Sequence, residues 1–157
     1  MYFLNQLLEL YKSTIYRQVM FAEFERDMHH DYEEGTVLTH EYLQDNYYKL
    51  VKKYFGNDVC CDELIKNEWM RIPHFYYNFY VYKYAIGLSC ATKIVDDILS
   101  GKENAVDDYL SFLKTGGSDY SVNELKVANV DVFDEKVYKS AIDTFEKTIL
   151  EFKELMK

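Results

Sequence analysis

The sequence predicts an all-α fold, and three observations carry that expectation. Apolar residues recur at three- and four-residue steps along most of the chain. Helix-breaking residues are scarce, with one proline and six glycines among 157 residues. The stretches between periodic segments are short, as compact helical domains prefer. The same scarcity of turn residues excludes a many-turned β-sandwich. A single domain over residues 1–157 is expected, because a chain of this length buries one sizeable core and no repeat, low-complexity tract or linker interrupts it.

The first helix is expected from Met1 to Glu34. Leu4, Leu7, Leu8, Tyr11, Ile15, Val19 and Ala22 mark one face, while Phe3, Leu10, Phe21, Phe24 and Met28 widen the apolar girth. Gly35 provides a stop. Thr39 is a candidate N-cap for the next helix, with Glu41 near the positive end of its dipole. That helix runs through Leu43, Tyr47, Leu50, Val51 and Tyr54 to Gly56. After a loop at residues 57–61, Asp62 is placed to cap a short helix, Glu63 to Arg71. Pro73 suits a first helical turn, so a long helix is predicted from His74 to about Ser100. Gly101 ends it. A helix from Asn104 to Lys114 leads into the flexible turn Gly116-Gly117-Ser118. Ser121 and Glu124 have capping-box spacing for a short helix. Asp134 begins the last, whose expected buried stripe is Val137, Ala141, Ile142, Phe145, Ile149, Phe152 and Leu155.

Charge and cysteine usage narrow the function classes. Eighteen basic against twenty-seven acidic residues give a net charge of −9, which argues against nucleic acid as a partner, since phosphates demand clustered Lys and Arg. No apolar run approaches the roughly 20 residues that span a bilayer, so no membrane partner is expected. Met1 to Leu10 lacks the basic start and cleavage site of a signal peptide. Cys60, Cys61 and Cys90 are odd in number, and two are adjacent, which fits reduced thiols and a cytoplasmic setting.

Residues 69–91 read WMRIPHFYYNFYVYKYAIGLSCA, in a chain with sixteen tyrosines. On a helical projection with Asn78 at zero, His74 lies at about −40°, Tyr77 at about −100°, Tyr84 at about −120° and Tyr80 at about −160°. The four share a flank. Asn78, Tyr82, Ser89, Lys93 and Asp96 form a neighbouring polar strip, and Phe75, Phe79, Ile86, Leu88 and Val95 an apolar side. A helix so apolar is central, and its polar flank needs a hydrated cleft. Imidazole and phenol groups on such a wall are suitable donors to a peptide carbonyl or a developing oxyanion. Tyrosines at this spacing equally fit a core whose hydroxyls reach the surface, and a histidine beside proline equally fits a structural role.

RIPHFYYNFYVYKYA followed by GLSCA resembles the C-terminal region of oligoendopeptidase F enzymes, relatives of thimet oligopeptidase. LNQLLELYKSTIYRQVMFAEFE resembles the helix that follows the family's metal site. GTVLTHEYL and YFG match the next helical hairpin, and YLSFLKTGGSDYSVNELKVANVDV resembles the family's glycine-containing turn and short helix. The resemblance covers nearly the whole chain. Ser121 departs from it, standing where relatives tend to have proline.

The resemblance implies zinc endopeptidases that cut short peptides in a channel between helical halves. Zinc in that family is held by H-E-x-x-H and a later glutamate, and this sequence contains no H-E-x-x-H. The expectation is therefore the C-terminal portion of a larger peptidase catalytic domain, with zinc in the full-length enzyme and none bound to this chain, which alone should be inactive. His74, Tyr84 and Tyr80 correspond to catalytic cleft residues, with Tyr77, Gly116 and Gly117 contacting substrate. Short peptides, the missing N-terminal peptidase half, and a second copy meeting through exposed apolar surface are the expected partners. The alternative is a non-catalytic helical module that binds peptides or another protein. His29/Glu33 and His30/Glu34 form one-turn pairs, but adjacent histidines diverge by about 100° and do not share an ion on a straight helix.

Overall fold

Seven α-helices and no strand are formed by residues 1–157 of the computed structural model. The chain divides into two units, one of residues 16–85 and the other of residues 1–15 with 86–157.

In the unit of residues 16–85, α2 (Arg17–Glu33) packs against α3 (His40–Phe55), and α3 against a 3-10 segment, Glu63–Arg71. Two predicted caps are in place. Thr39 Oγ1 accepts the Tyr42 N–H at 3.2 Å, and Asp62 Oδ1 accepts that of Leu64 at 2.7 Å, satisfying donors that a helix start leaves orphaned. Met20, Phe21, Phe24, Leu43, Tyr47, Leu50 and Val51 form the core, joined by Ile72 and Val81 from the following segment. Phe24 meets Tyr47 edge-to-face with centroids 5.2 Å apart, a geometry that suits the ring quadrupoles.

A buried ionic network crosses this core. Glu68 Oε1 accepts from Arg17 at 2.5 Å and from Arg71 at 2.6 Å, and its Oε2 accepts the Tyr47 hydroxyl at 2.7 Å. Burial drives the Glu68 carboxyl upward, but the hydrogen bonds from Arg17 and Tyr47, with the two guanidinium charges, outweigh it and hold the group below its ordinary 4.5. Burial and the same carboxylate push the Tyr47 phenol far above its usual value.

In the other unit, α1 (Tyr2–Tyr11) packs on α7 (Glu135–Leu155), and α5 (Ala105–Thr115) on α6 (Ser121–Val127). Cys90 and Ile94 of α4 (Tyr82–Leu99) join Ala128, Val130 and Val137 in its core. The Tyr11 hydroxyl and Thr92 Oγ1 lie 2.6 Å apart in a buried hydrogen bond. Asp134 caps α7 by accepting the Lys136 N–H at 2.9 Å. All three cysteines are free thiols, and no helix is long and apolar enough to cross a membrane.

The structure corrects the expected elements at four places. The first helix is interrupted by a π-helical turn at Lys12–Tyr16, where Ser13 Oγ donates to the Leu10 carbonyl at 3.3 Å, a side-chain competition that loosens an α-helical turn. Ser121 does not cap α6: the N-cap residue is Tyr120, without a side-chain cap bond. Ahead of the helix, Asp119 accepts the Tyr120 N–H and Glu124 accepts the N–H of Asp119. Ile142 and Leu155 of the expected α7 stripe are exposed, and Thr148 is buried in the row of Val137 and Ala141. Thr148 tolerates burial because its hydroxyl donates to the Thr144 carbonyl. The fourth correction, in the tyrosine-rich segment, shapes the candidate site.

Candidate functional site

The helix expected from His74 to Ser100 does not form in one piece. Pro73–Tyr76 is a short 3-10 turn, residues 77–81 are non-helical, and α4 begins only at Tyr82. Phe75 to Tyr80 is a run of aromatic residues and one asparagine, none a strong helix former. Asn78 and Phe79 both adopt left-handed backbone, with φ of 51° and 58°. Asparagine tolerates that region, whereas a bulky residue there is held at a cost of order 1–2 kcal/mol.

Two groups hold the corner. Buried Ile72 and Val81 anchor its flanks in the core of the unit. From α2, Glu25 Oε1 accepts the Phe79 backbone N–H at 2.7 Å, and the His29 ring lies 4.7 Å from that of Phe79. The helical projection of residues 74–84 is therefore wrong in its geometry, yet the four side chains it grouped do meet.

His74 is central to them. Its ring stacks on Tyr80 with centroids 5.7 Å apart and 19° between planes. Tyr77 and Tyr84 approach it edge-on at 5.9 and 6.3 Å. Tyr80 contacts Tyr77 at 5.9 Å and Tyr84 at 5.5 Å. Lys83 Nζ lies 4.9 Å from the Tyr80 ring centroid, favourable for a cation over a π face.

The cluster is wet. Tyr77 and Tyr84 are 59% and 39% exposed, and His74 and Tyr80 are half-buried, so these groups are not sealed in dry packing. Tyr84 donates its hydroxyl proton to the Tyr80 oxygen across 3.3 Å. That hydrogen bond, with some desolvation and the Tyr80 charge, holds the Tyr84 phenol above its ordinary 10.0. Tyr84 therefore keeps its proton at neutral pH, and the Tyr80 oxygen is the acceptor of the pair. Linked hydroxyls polarise one another, which strengthens the outer donor. The arrangement is a compact set of O–H and N–H donors suited to a carbonyl oxygen.

Gly116 and Gly117 belong to the other unit. They close α5 with φ of 58° and 84°, backbone that glycine adopts without steric cost. Both are exposed. The structure brings His74, Tyr77, Tyr80 and Tyr84 together and gives the glycines a turn of their own.

No grouping of three His, Cys, Asp or Glu side chains in the chain could hold a metal ion. His29 packs on a phenylalanine, and His40 lies 6.2 Å from the Trp69 ring. The residues present do not fit a zinc centre.

Glu25 is the residue that sequence reasoning missed. It borders the apolar arc of α2 set by Phe21, Phe24 and Met28, about 40° past Phe21 on a helical projection. A carboxylate at the edge of a helix's apolar face is a signal that can be read from the sequence, because it must find a buried donor.

The model of peptidase family M3 matches residues 3–144. The chain is 46% identical over 156 residues to oligopeptidase PepF of Bacillus subtilis (strain 168), an alignment covering 99% of this chain and 23% of that protein. Over 153 residues it is 41% identical to group B oligopeptidase PepB of Streptococcus agalactiae, covering 98% of this chain and 26% of that one. The crystal structure of oligoendopeptidase-F from Enterococcus faecium matches with a TM-score of 0.96 and 46% identity, over 99% of this chain and 30% of that one. The chain spans about a quarter of the length of the curated relatives it matches.

Proposed function

Because the chain belongs to peptidase family M3, we propose that it forms the substrate-contacting wall of a zinc-dependent oligoendopeptidase that hydrolyses short peptides. The observation that carries this reading is the exposed ring cluster, in which His74 stacks on Tyr80 and meets Tyr84 edge-on, and the Tyr84 hydroxyl donates a hydrogen bond to Tyr80. In this reading, His74 and the paired phenols bind the carbonyl oxygen of the scissile peptide and stabilise the charge that develops on it. Tyr77 lies against the peptide backbone, and Gly116 and Gly117 provide a mobile loop beside the substrate. Zinc supplies a Lewis acid and an activated water in enzymes of this kind, and its ligands lie on polypeptide other than these 157 residues.

Fluorogenic peptide cleavage with zinc analysis tests the reading. The intact peptidase carrying this segment is expected to cleave short peptides and to lose activity to a chelator. The 157-residue chain alone is expected to do neither. Stoichiometric zinc with chelator-sensitive hydrolysis by the chain alone would overturn the reading. Peptide binding without hydrolysis by the intact protein would favour the alternative, a non-catalytic helical module that binds peptides or another protein.

The partners proposed with this function are short peptides and the rest of the peptidase. Without the latter, Tyr2, Phe3 and Leu10 of α1 remain exposed, Phe3 by 83%. Large apolar side chains left in water favour association. The isolated chain is accordingly expected to form homodimers, read as a doubled mass by light scattering, and a monodisperse monomer at high concentration would count against it.

A further inference from the structure

Glu25 has no exposed surface. One of its oxygens accepts the Phe79 N–H at 2.7 Å, fifty-four positions along the chain. The other, Oε2, is buried without a partner. The directional bonding of this carboxylate therefore goes entirely to one backbone N–H. Burying a carboxylate is unfavourable unless it is hydrogen-bonded, so this is a costly way merely to fill a core.

The N–H it holds belongs to the second of two successive left-handed residues. His29, one helical turn further along α2, packs its ring on the ring of the same Phe79. One face of α2 thus grips both the backbone and the side chain at the corner. The next residue is Tyr80, whose ring stacks on His74 and whose oxygen accepts a hydrogen bond from the Tyr84 hydroxyl.

We propose that Glu25 is a positioning residue for the peptide-contacting cluster: by fixing the left-handed corner at Asn78–Phe79 it turns Tyr80 onto His74 and within reach of Tyr84. The inference rests on the peptidase reading above and goes beyond it by assigning a residue that touches no substrate. Strained backbone persists only where its surroundings over-determine it, and the Glu25 bond is that constraint. A relaxed corner displaces Tyr80, and misplacement of a reacting group by about 1 Å costs up to roughly 10²-fold in rate.

The test uses the intact peptidase, with kcat and KM measured per folded, zinc-loaded molecule. Glu25→Ala is expected to lower kcat roughly 10- to 100-fold with KM little changed. Adding Asn78→Gly, which makes positive φ free of steric cost, is expected to recover part of that loss. A purely structural role predicts no such recovery. Unchanged kcat in Glu25→Ala, or a loss that Asn78→Gly does not reduce, overturns the proposal. Should Glu25→Ala not fold, Glu25→Gln decides: the neutral acceptor holds the N–H more weakly, so kcat falls roughly three- to tenfold at constant KM, and an unchanged kcat overturns the proposal. His74→Ala, run in parallel, separates the two readings. If it leaves kcat untouched, the cleft-wall function fails; if it lowers kcat while the Glu25 variants do not, only the positioning role fails.

Discussion

Replacing His74 with alanine, or Tyr84 with phenylalanine, is expected to lower kcat of the intact peptidase by roughly 10²–10³-fold while leaving its zinc content unchanged. The magnitude is that of removing one preorganised donor to a developing oxyanion. His74→Ala removes an imidazole that also braces Tyr77, Tyr80 and Tyr84 through ring contacts, so positioning is lost along with a donor. Tyr84→Phe is the cleaner variant. It keeps the ring that meets His74 and Tyr80 and deletes only the hydroxyl that donates to Tyr80. Since these donors act on the transition state more than on bound substrate, the loss appears in kcat with KM little changed. Full activity in both variants would reject the cleft-wall assignment.

The second large effect concerns stability. Glu68→Ala is expected to destabilise the chain by about 3 kcal/mol, read as a lower urea midpoint. The substitution strips the acceptor from the buried Tyr47 hydroxyl and unpairs Arg17 and Arg71. Arg71 is largely exposed and recovers water, so its share is small. Arg17 and Tyr47 carry most of the loss. Tyr47→Phe, which removes one donor and leaves both arginines paired, is expected to cost about 1 kcal/mol.

The same carboxylate sets a direction with pH. Glu68 has a lower pKa folded than the ordinary 4.5, so its contribution is fully present above about pH 4.5 and is lost as pH falls from there through the folded value. Wild-type stability is expected to drop on acidification through that window, and Glu68→Ala to flatten that part of the profile. Equal slopes in the two proteins would show that the network is not the source.

Most of the fold could be read from spacing and caps, because both depend on local chemistry. Thr39 and Asp62 were identifiable as caps from their place before periodic apolar runs, and each bonds as expected. Ile142 and Leu155 were misread because an apolar residue at helical spacing is buried only where another element covers it. The tyrosine segment shows a different limit. Spacing alone grouped His74 with Tyr77, Tyr80 and Tyr84 on a helical flank, whereas the backbone there leaves the helix at two left-handed residues. One contact at that corner is distant in sequence: the Phe79 N–H donates to Glu25. Periodicity carries no record of such a bond, although an acid bordering the arc of Phe21, Phe24 and Met28 is its visible trace.

Trp69 is the chain's single tryptophan, and it packs near Phe24 in the unit of residues 16–85. Tryptophan fluorescence, excited selectively over tyrosine, therefore watches the melting of that unit alone, while far-ultraviolet circular dichroism sums the helices of both. Superimposable transitions from the two signals mean a single cooperative step, and displaced transitions mean two.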